Sequence, residues 1–248
     1  MFFSDLQFNI HRFNCLESTN IYAHQQLQAK KAKSGDIFWT LEQSQGKGQR
    51  GTSWQSEVAK NLLFSVVLKI DLAVDKQFYL SQAVALALYA FLDSLSVEML
   101  QLKWPNDLLV NGEKIAGILI QNSIQGNRIQ DSVVGIGLNV NQIQFEDYKR
   151  KATSLKLLKN KDFDLRQLLQ QFLPFLKKQL IDFEKADYEK LRKEYLAYLY
   201  GYQSPMQFKD KDGAFSGKIV GVVENGYLEV EKEGELKSYD LKEVEFLD

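Results

Sequence analysis

Gly46-Lys47-Gly48-Gln49-Arg50-Gly51 sets two cations among three glycines within six residues, with Trp54 close behind. Glycine permits positive φ and close backbone approach, so backbone N–H groups and the Lys47 and Arg50 side chains could gather around an anion. The string also matches the dinucleotide fingerprint G-x-G-x-x-G, and Asp71 lies twenty residues beyond Gly51. That fingerprint works only where a helix opens at the loop and its N-terminus meets a pyrophosphate. Here residues 52–60 alone separate the loop from the next strand-like run, too few for a crossover helix, and they include the polar cluster Gln55-Ser56-Glu57. A Walker A loop is excluded too, because Gly51 is followed by Thr52 rather than by Lys and Ser or Thr. Two readings remain: a pliable cover for an anionic ligand, or a solvated surface loop. Ordering about nine residues costs on the order of 10 kcal/mol of backbone entropy, which ligand contacts would have to offset.

Lys103-Trp104-Pro105-Asn106-Asp107 packs a cation, an aromatic, a rigid turn and a carboxylate into five residues. Pro105 biases Trp104 toward an extended conformation, and Asn106-Asp107 makes a turn. Asp107 could stand beside the magnesium or ribose of a nucleotide, with Lys103 near; magnesium typically takes only one or two carboxylates besides phosphate oxygens. The plain alternative is a loop entering a hairpin. Lys114 follows the Asn111-Gly112 turn, and Ala116 and Gly117 beyond it would let a ligand lie close to the backbone. A lysine at a hairpin edge is otherwise a solubility device. Asn139, in the apolar run Gly135-Ile136-Gly137-Leu138-Asn139-Val140, needs a partner, either a backbone group or a ligand.

These segments must be held by a scaffold. An extended stretch over residues 8–16 leads into Glu17-Ser18-Thr19-Asn20, after which residues 21–31 read as a helix with Ser or Thr placed to cap it. Strand-like runs cover residues 36–42 and 61–70, and apolar positions at helical spacing mark a core helix over 78–95. A short strand over 101–103 precedes a hairpin of 108–110 and 114–121 turning at Asn111-Gly112. Gly126-Asn127 turns the chain again into a strand over 129–140. Helices return over 165–183 and 187–200, with Pro174 a kink or break in the first. Strands in one run with helices before and after predict an α+β fold, a central mixed or antiparallel sheet flanked by helices. Composition shifts near residues 201–205. Beyond it, short β segments turn at Lys211-Asp212-Gly213, Asn225-Gly226 and Glu233-Gly234, predicting a small barrel docked on the main unit. The expected domains are therefore 1–203 and 204–248.

The chain of 248 residues is 45% apolar and 12% aromatic, enough for a sizeable core. Lys and Arg number 31 against 32 Asp and Glu, and the net charge of −1 argues against a dedicated nucleic-acid binder. Cys15 is the sole cysteine, which excludes an intrachain disulfide, and it reads as a buried small hydrophobe. His11 and His24 lack further ligands, so a protein-built zinc site is not expected. Residues 1–12 carry charges and no long apolar stretch, and the most apolar run, 83–92, is too short to span a bilayer. A soluble cytoplasmic protein without membrane contact is the expectation.

Ser18-Thr19-Asn20, the glycine segment with Trp54, Lys103 to Asp107, Lys114 to Gly117 and Gly135 to Val140 occur in an order that resembles the biotin–protein ligases. Lys-Trp-Pro-Asn-Asp is the most specific block. The C-terminal β segment looks like that family's SH3-like domain, so the likeness covers nearly the whole chain. It implies a catalytic fold similar to class II aminoacyl-tRNA synthetases. It also implies the single-function type, since the seventeen residues before Ser18 are too few for a helix-turn-helix; DNA binding is not expected.

The resemblance implies ATP-dependent activation of biotin to biotinyl-5′-AMP, with Mg²⁺, and transfer to a lysine of a biotin carboxyl carrier protein. It places Ser18, Thr19, Asn20, Gln43, Gly46, Lys47, Gly48, Lys114 and Gly117 at biotin. It places Lys47, Gln49, Arg50, Gly51, Trp54, Lys103, Asn106, Asp107 and Asn139 at ATP, with Trp54 near the adenine, and Asp107 also at magnesium. Lys114 and Arg50 are the expected catalytic cations, facing the carboxylate and the α-phosphate. The family's loop often carries arginines where this chain has Lys47 and Gln49; lysine loses the bidentate fork and glutamine the charge. The competing reading is a lipoate or octanoate ligase or transferase of related fold, whose apolar acyl tunnel needs no ureido-binding hydroxyls. A biotin-responsive repressor and a catalytically silent biotin-binding module are further alternatives. A homodimer through the central sheet is allowed by the sequence but not shown by it.

Overall fold

The computed structural model describes residues 3–146 and 150–247; of Arg50 the backbone alone is described. Seven strands form one sheet: β1 (Asn9–Phe13), β2 (Asp36–Thr40), β3 (Leu62–Ala73), β4 (Leu100–Lys103), β5 (Asp107–Val110), β6 (Glu113–Gln125) and β7 (Arg128–Leu138). Their spatial order is β1-β2-β3-β7-β6-β5-β4. β1 and β2 are parallel and the other pairs antiparallel, so the sheet is mixed. Two-residue turns close the hairpins as expected, with Asn111 and Gly112 at φ 49 and 79 and Gly126 at φ 62.

Strand periodicity divides the sheet's labour. Phe64, Val66 and Leu68 of β3 and Val134, Ile136 and Leu138 of β7 point into the main core. That face is covered by α2 (Gln77–Ser94) and α4 (Leu165–Glu184), where Phe64, Phe91 and Phe172 meet edge to face. Alternate residues of the same strands face the other way. There Val67, Val133 and Phe38 pack with Ala23 of α1 (Thr19–Gln28), while Ser65, Gly135, Gly137 and Gly117 share its strand parity. The site is built on this second face.

α4 runs through Pro174 without a break. The helix ends at Glu184 with Lys185 as its C-cap, and Asp187 then caps α5 (Tyr188–Ala197) by accepting from Lys190 N. A short helix, α3 (Leu155–Lys159), was not expected; Ser154 caps it by accepting from Leu157 N. Cys15 is exposed rather than buried, because β1 ends at Phe13 and the chain bends away from the sheet before Leu16 rejoins it beside Gln43.

A second sheet holds β8 (Pro205–Asp210), β9 (Gly213–Val222), β10 (Leu228–Lys232), β11 (Glu235–Tyr239) and β12 (Glu245–Phe246), in the order β11-β10-β9-β8-β12. It is barrel-like, but among the described residues no pairing joins β11 to β12, so it stays open. It meets the first unit where Trp104 Nε1 donates to Gly226 O at 2.8 Å, Lys103 Nζ lies 4.0 Å from the Phe246 ring, and Lys76 pairs with Glu224. No helix among the described residues is long and apolar enough to cross a membrane.

Candidate active site

A cavity of about 850 Å³ opens over the second face of the sheet, between the start of α1, the glycine segment, the β4–β5 turn and the end of the chain. Its size suits two small ligands side by side. The N-terminus of α1 forms one wall. Ser18 occupies the N-cap position without a side-chain cap, contrary to expectation. The Gln43 carboxamide takes that role: its Oε1 accepts from Thr19 N at 2.8 Å and lies 3.2 Å from Thr19 Oγ1. Ser18, Thr19 and Asn20 are all buried, and Asn20 Nδ2 is bound to Leu119 O and Gln121 Oε1.

The floor is bare backbone. Gly117 and Gly137 face each other across β6 and β7, and the Trp54 ring lies on the pair. A Cβ at Gly137 would stand 2.6 Å from Trp54 Cε2, and one at Gly117 2.9 Å from Trp54 Cζ3. Glycine is required here by space, not by turn geometry. The 46–54 segment closes as a small hairpin in which Gly48 N donates to Thr52 O at 2.7 Å and Trp54 N to Gly46 O at 3.0 Å. Gln49–Gly51 forms its 3-10 tip. The hairpin thus has bonds of its own before any ligand arrives.

Opposite stands the charge. Lys114 Nζ lies 2.6 Å from Asp107 Oδ1, the two side chains being 31% and 21% exposed, and 5.4 Å from the Trp54 ring. β5 and β6 bring them together, since Asp107 pairs with Gly117, three residues beyond Lys114. Burial, with the Asp107 charge adding to it, pushes the hydroxyl of Tyr195, a core residue outside the cavity, far above its usual range.

Thirteen of the expected residues line the cavity: Ser18, Thr19, Asn20, Gln43, Lys47, Gly48, Gln49, Trp54, Lys103, Asn106, Asp107, Lys114 and Gly117. Gly46 and Gly51 shape the hairpin behind the wall. The Arg50 side chain lies outside the described residues. Asn139 does not reach the wall: its Nδ2 donates to Thr153 O at 3.0 Å, a structural bond that ties the chain after residue 150 to the end of β7. Asn106 lines the wall but spends its amide on Ile118 O at 2.7 Å. Sequence reasoning missed Arg150, whose guanidinium lines the cavity and donates to Gly112 O at 3.0 Å, and the C-terminal Leu241, Val244 and Phe246. An arginine within the basic run Lys149-Arg150-Lys151 reads as a solvated charge run, and apolar residues more than 130 positions from Lys103 carry no local signal. Among the described residues no cluster of three or more His, Cys, Asp or Glu could hold a metal by itself.

The family model of the Biotin/lipoate A/B protein ligase family matches residues 12–139. The bifunctional ligase/repressor BirA of Bacillus spizizenii is 27% identical over 234 residues, covering 93% of this chain and 71% of that protein. The biotin–[acetyl-CoA-carboxylase] ligase of Paracoccus denitrificans is 39% identical over 131 residues, half of each chain. The biotin protein ligase from Aquifex aeolicus, solved in complex with biotin and ATP, superposes with a TM-score of 0.77 at 24% identity, over 96% of this chain and 97% of that one, a likeness of fold. With the matched segment holding most of the cavity and more than half of the chain, this protein belongs to the biotin/lipoate A/B protein ligase family.

Proposed function

We propose that this chain is a biotin–protein ligase, which activates biotin with ATP and passes it to a lysine of a biotin carboxyl carrier protein. The observation that carries the reading is one cavity with two unlike ends. Hydroxyls and amides of Ser18, Thr19 and Gln43 stand at one end, and Lys114, Asp107 and Lys103 at the other. The first suits a ureido ring, which offers two N–H donors and a carbonyl. The second suits a carboxylate meeting a triphosphate.

In the first step a carboxylate oxygen of biotin attacks the α-phosphorus of ATP, the P–O bond to the β-phosphate breaks, and diphosphate leaves. Two anions repel, so fixed positive charge at their junction lowers the barrier; Lys114 would hold that place, with Lys47 of the hairpin adding to it. Asp107, with one carboxylate and no supporting cluster, fits a magnesium ion carried mainly by the phosphates, which would neutralise charge there. In the second step the deprotonated amine of the carrier lysine attacks the mixed anhydride, an amide forms and AMP leaves. No enzyme nucleophile is needed. The Trp54 ring on the glycine floor shields the anhydride from water.

The test is mass spectrometry of a carrier domain incubated with the protein, Mg·ATP and either biotin or lipoate. One added biotinyl group is expected with the wild type, and a rate lower by about 10²–10³ with Lys114→Ala. An unmodified carrier, or one that gains lipoyl instead, would overturn the proposal.

A further inference from the structure

The polar cluster behind Thr19 has three oxygen–oxygen contacts, of 2.6, 2.7 and 3.2 Å, and two hydroxyl protons to fill them. A backbone carbonyl only accepts, so the Asn20 group 3.1 Å from Leu119 O is Nδ2, and its Oδ1 faces Ser65 Oγ at 2.6 Å. The two shortest contacts take the two hydroxyl protons: Ser65 gives its own to Asn20 Oδ1, which has none to give, and Thr19 gives its own to Ser65 Oγ, 2.7 Å away. On the other side, the Thr19 backbone N–H fixes the Gln43 atom facing it as Oε1. Thr19 Oγ1 and Gln43 Oε1 therefore stand 3.2 Å apart with no proton between them, two acceptors at the cavity wall. Such a pair repels until a donor enters.

We propose that Ser65, fully buried and outside the cavity, is a positioning residue that makes Thr19 an acceptor, so that this end of the site selects a ligand carrying an N–H donor. The inference rests on the biotin reading: a cyclic urea supplies the missing proton, whereas an acid with an apolar tail leaves the two oxygens facing each other without a donor between them. The relay is anchored by Gly135, where a Cβ would lie 2.2 Å from Asn20 Oδ1 and push it off Ser65. In Ser65→Ala the Thr19 hydroxyl loses its acceptor, turns to Gln43 Oε1 and fills the notch with its own proton.

Calorimetry on the whole protein tests this with biotin and with the two analogues in which one or the other ureido N–H is replaced by a ring oxygen. In Ser65→Ala, biotin binding falls about tenfold, while one of the two analogues, already lacking the donor, binds as it does to the wild type, and ATP is unaffected. Ser65→Cys, which keeps the volume but accepts weakly, shows the same selective loss should the alanine variant not fold. Equal weakening of biotin and both analogues, or no weakening, overturns the relay and leaves the ligase reading standing. A wild type that binds no biotin overturns both.

Discussion

Lys114 and Asp107 illustrate how a side chain's meaning depends on what faces it. A lysine after a hairpin turn is ordinarily a solubility device, yet here it points inward, 2.6 Å from a carboxylate and over an indole. An ion pair of this kind holds the cation in place until a carboxylate and a phosphate compete for it. Gln49 poses the opposite question. It lines the cavity at the tip of the hairpin, where, on the proposed ligase reading, a cation would add charge to the wall facing an adenylate. Gln49→Arg is therefore expected to retain biotinyl-5′-AMP longer, with adenylate dissociation slowed about fivefold or more, the equivalent of about 1 kcal/mol for one solvent-accessible charged contact. Stopped-flow release of the intermediate measures it; an unchanged off-rate would show that the tip does not touch the adenylate.

At the level of elements, regular periodicity was readable wherever burial is one-sided or complete. The apolar run of β3, the helical spacing of α2 and the Asn-Gly turn between β5 and β6 all hold within a few residues. Less was readable where pairing joins distant segments. β1 has an exposed, irregular pattern, and its parallel partner β2 begins twenty-seven residues later, so nothing local announces the pairing. Asn139 was ambiguous for the same reason: an amide's partner is a tertiary fact, and here it is Thr153 O. The C-terminal sheet has its own polar centre, where Asp210 is bound by Lys232 at 2.9 Å and Tyr239 at 3.0 Å. The Lys232 hydrogen bond holds the Asp210 carboxyl down at about 2, below its ordinary 3.8. A depressed carboxyl contributes stability above the ordinary value and loses it as pH falls toward the folded one. Burial first, then the bond to Asp210, lifts Tyr239 to about 12 from 10.0, so its contribution is present below pH 10 and fades as pH rises through 12. The melting temperature should thus fall more steeply between pH 4 and 2 in the wild type than in Asp210→Asn. Parallel acid limbs in a calorimetric pH series would remove Asp210 from the account.

Across the whole molecule, the C-terminal sheet is more than an appendage, because its last strand supplies part of the cavity wall. Leu241, Val244 and Phe246 reach the site, and Lys103 of the main unit lies 4.0 Å from the Phe246 ring. That arrangement is held by several contacts, among them those of Lys76 and Tyr79 with Glu224. The best defined is Trp104 Nε1 to Gly226 O, 2.8 Å, next to Phe78, which leaves no room for a side chain at Gly226. Trp104 of the Lys-Trp-Pro-Asn-Asp block lines the cavity and, through its Nε1, also bolts the two sheets together. Trp104→Phe keeps the aromatic bulk and removes the bond, which costs about 1–2 kcal/mol when a buried carbonyl loses its donor. Urea denaturation should show that loss. The functional consequence is directional: Phe246 lies 4.0 Å from Lys103 Nζ, toward the end proposed for ATP, with Thr19 and Gln43 toward the end proposed for biotin. The KM for ATP should rise several-fold in Trp104→Phe while that for biotin stays put. Equal changes in both constants would mean that the sheets are joined for stability alone, with the C-terminal strand adding nothing to the nucleotide's side of the cavity.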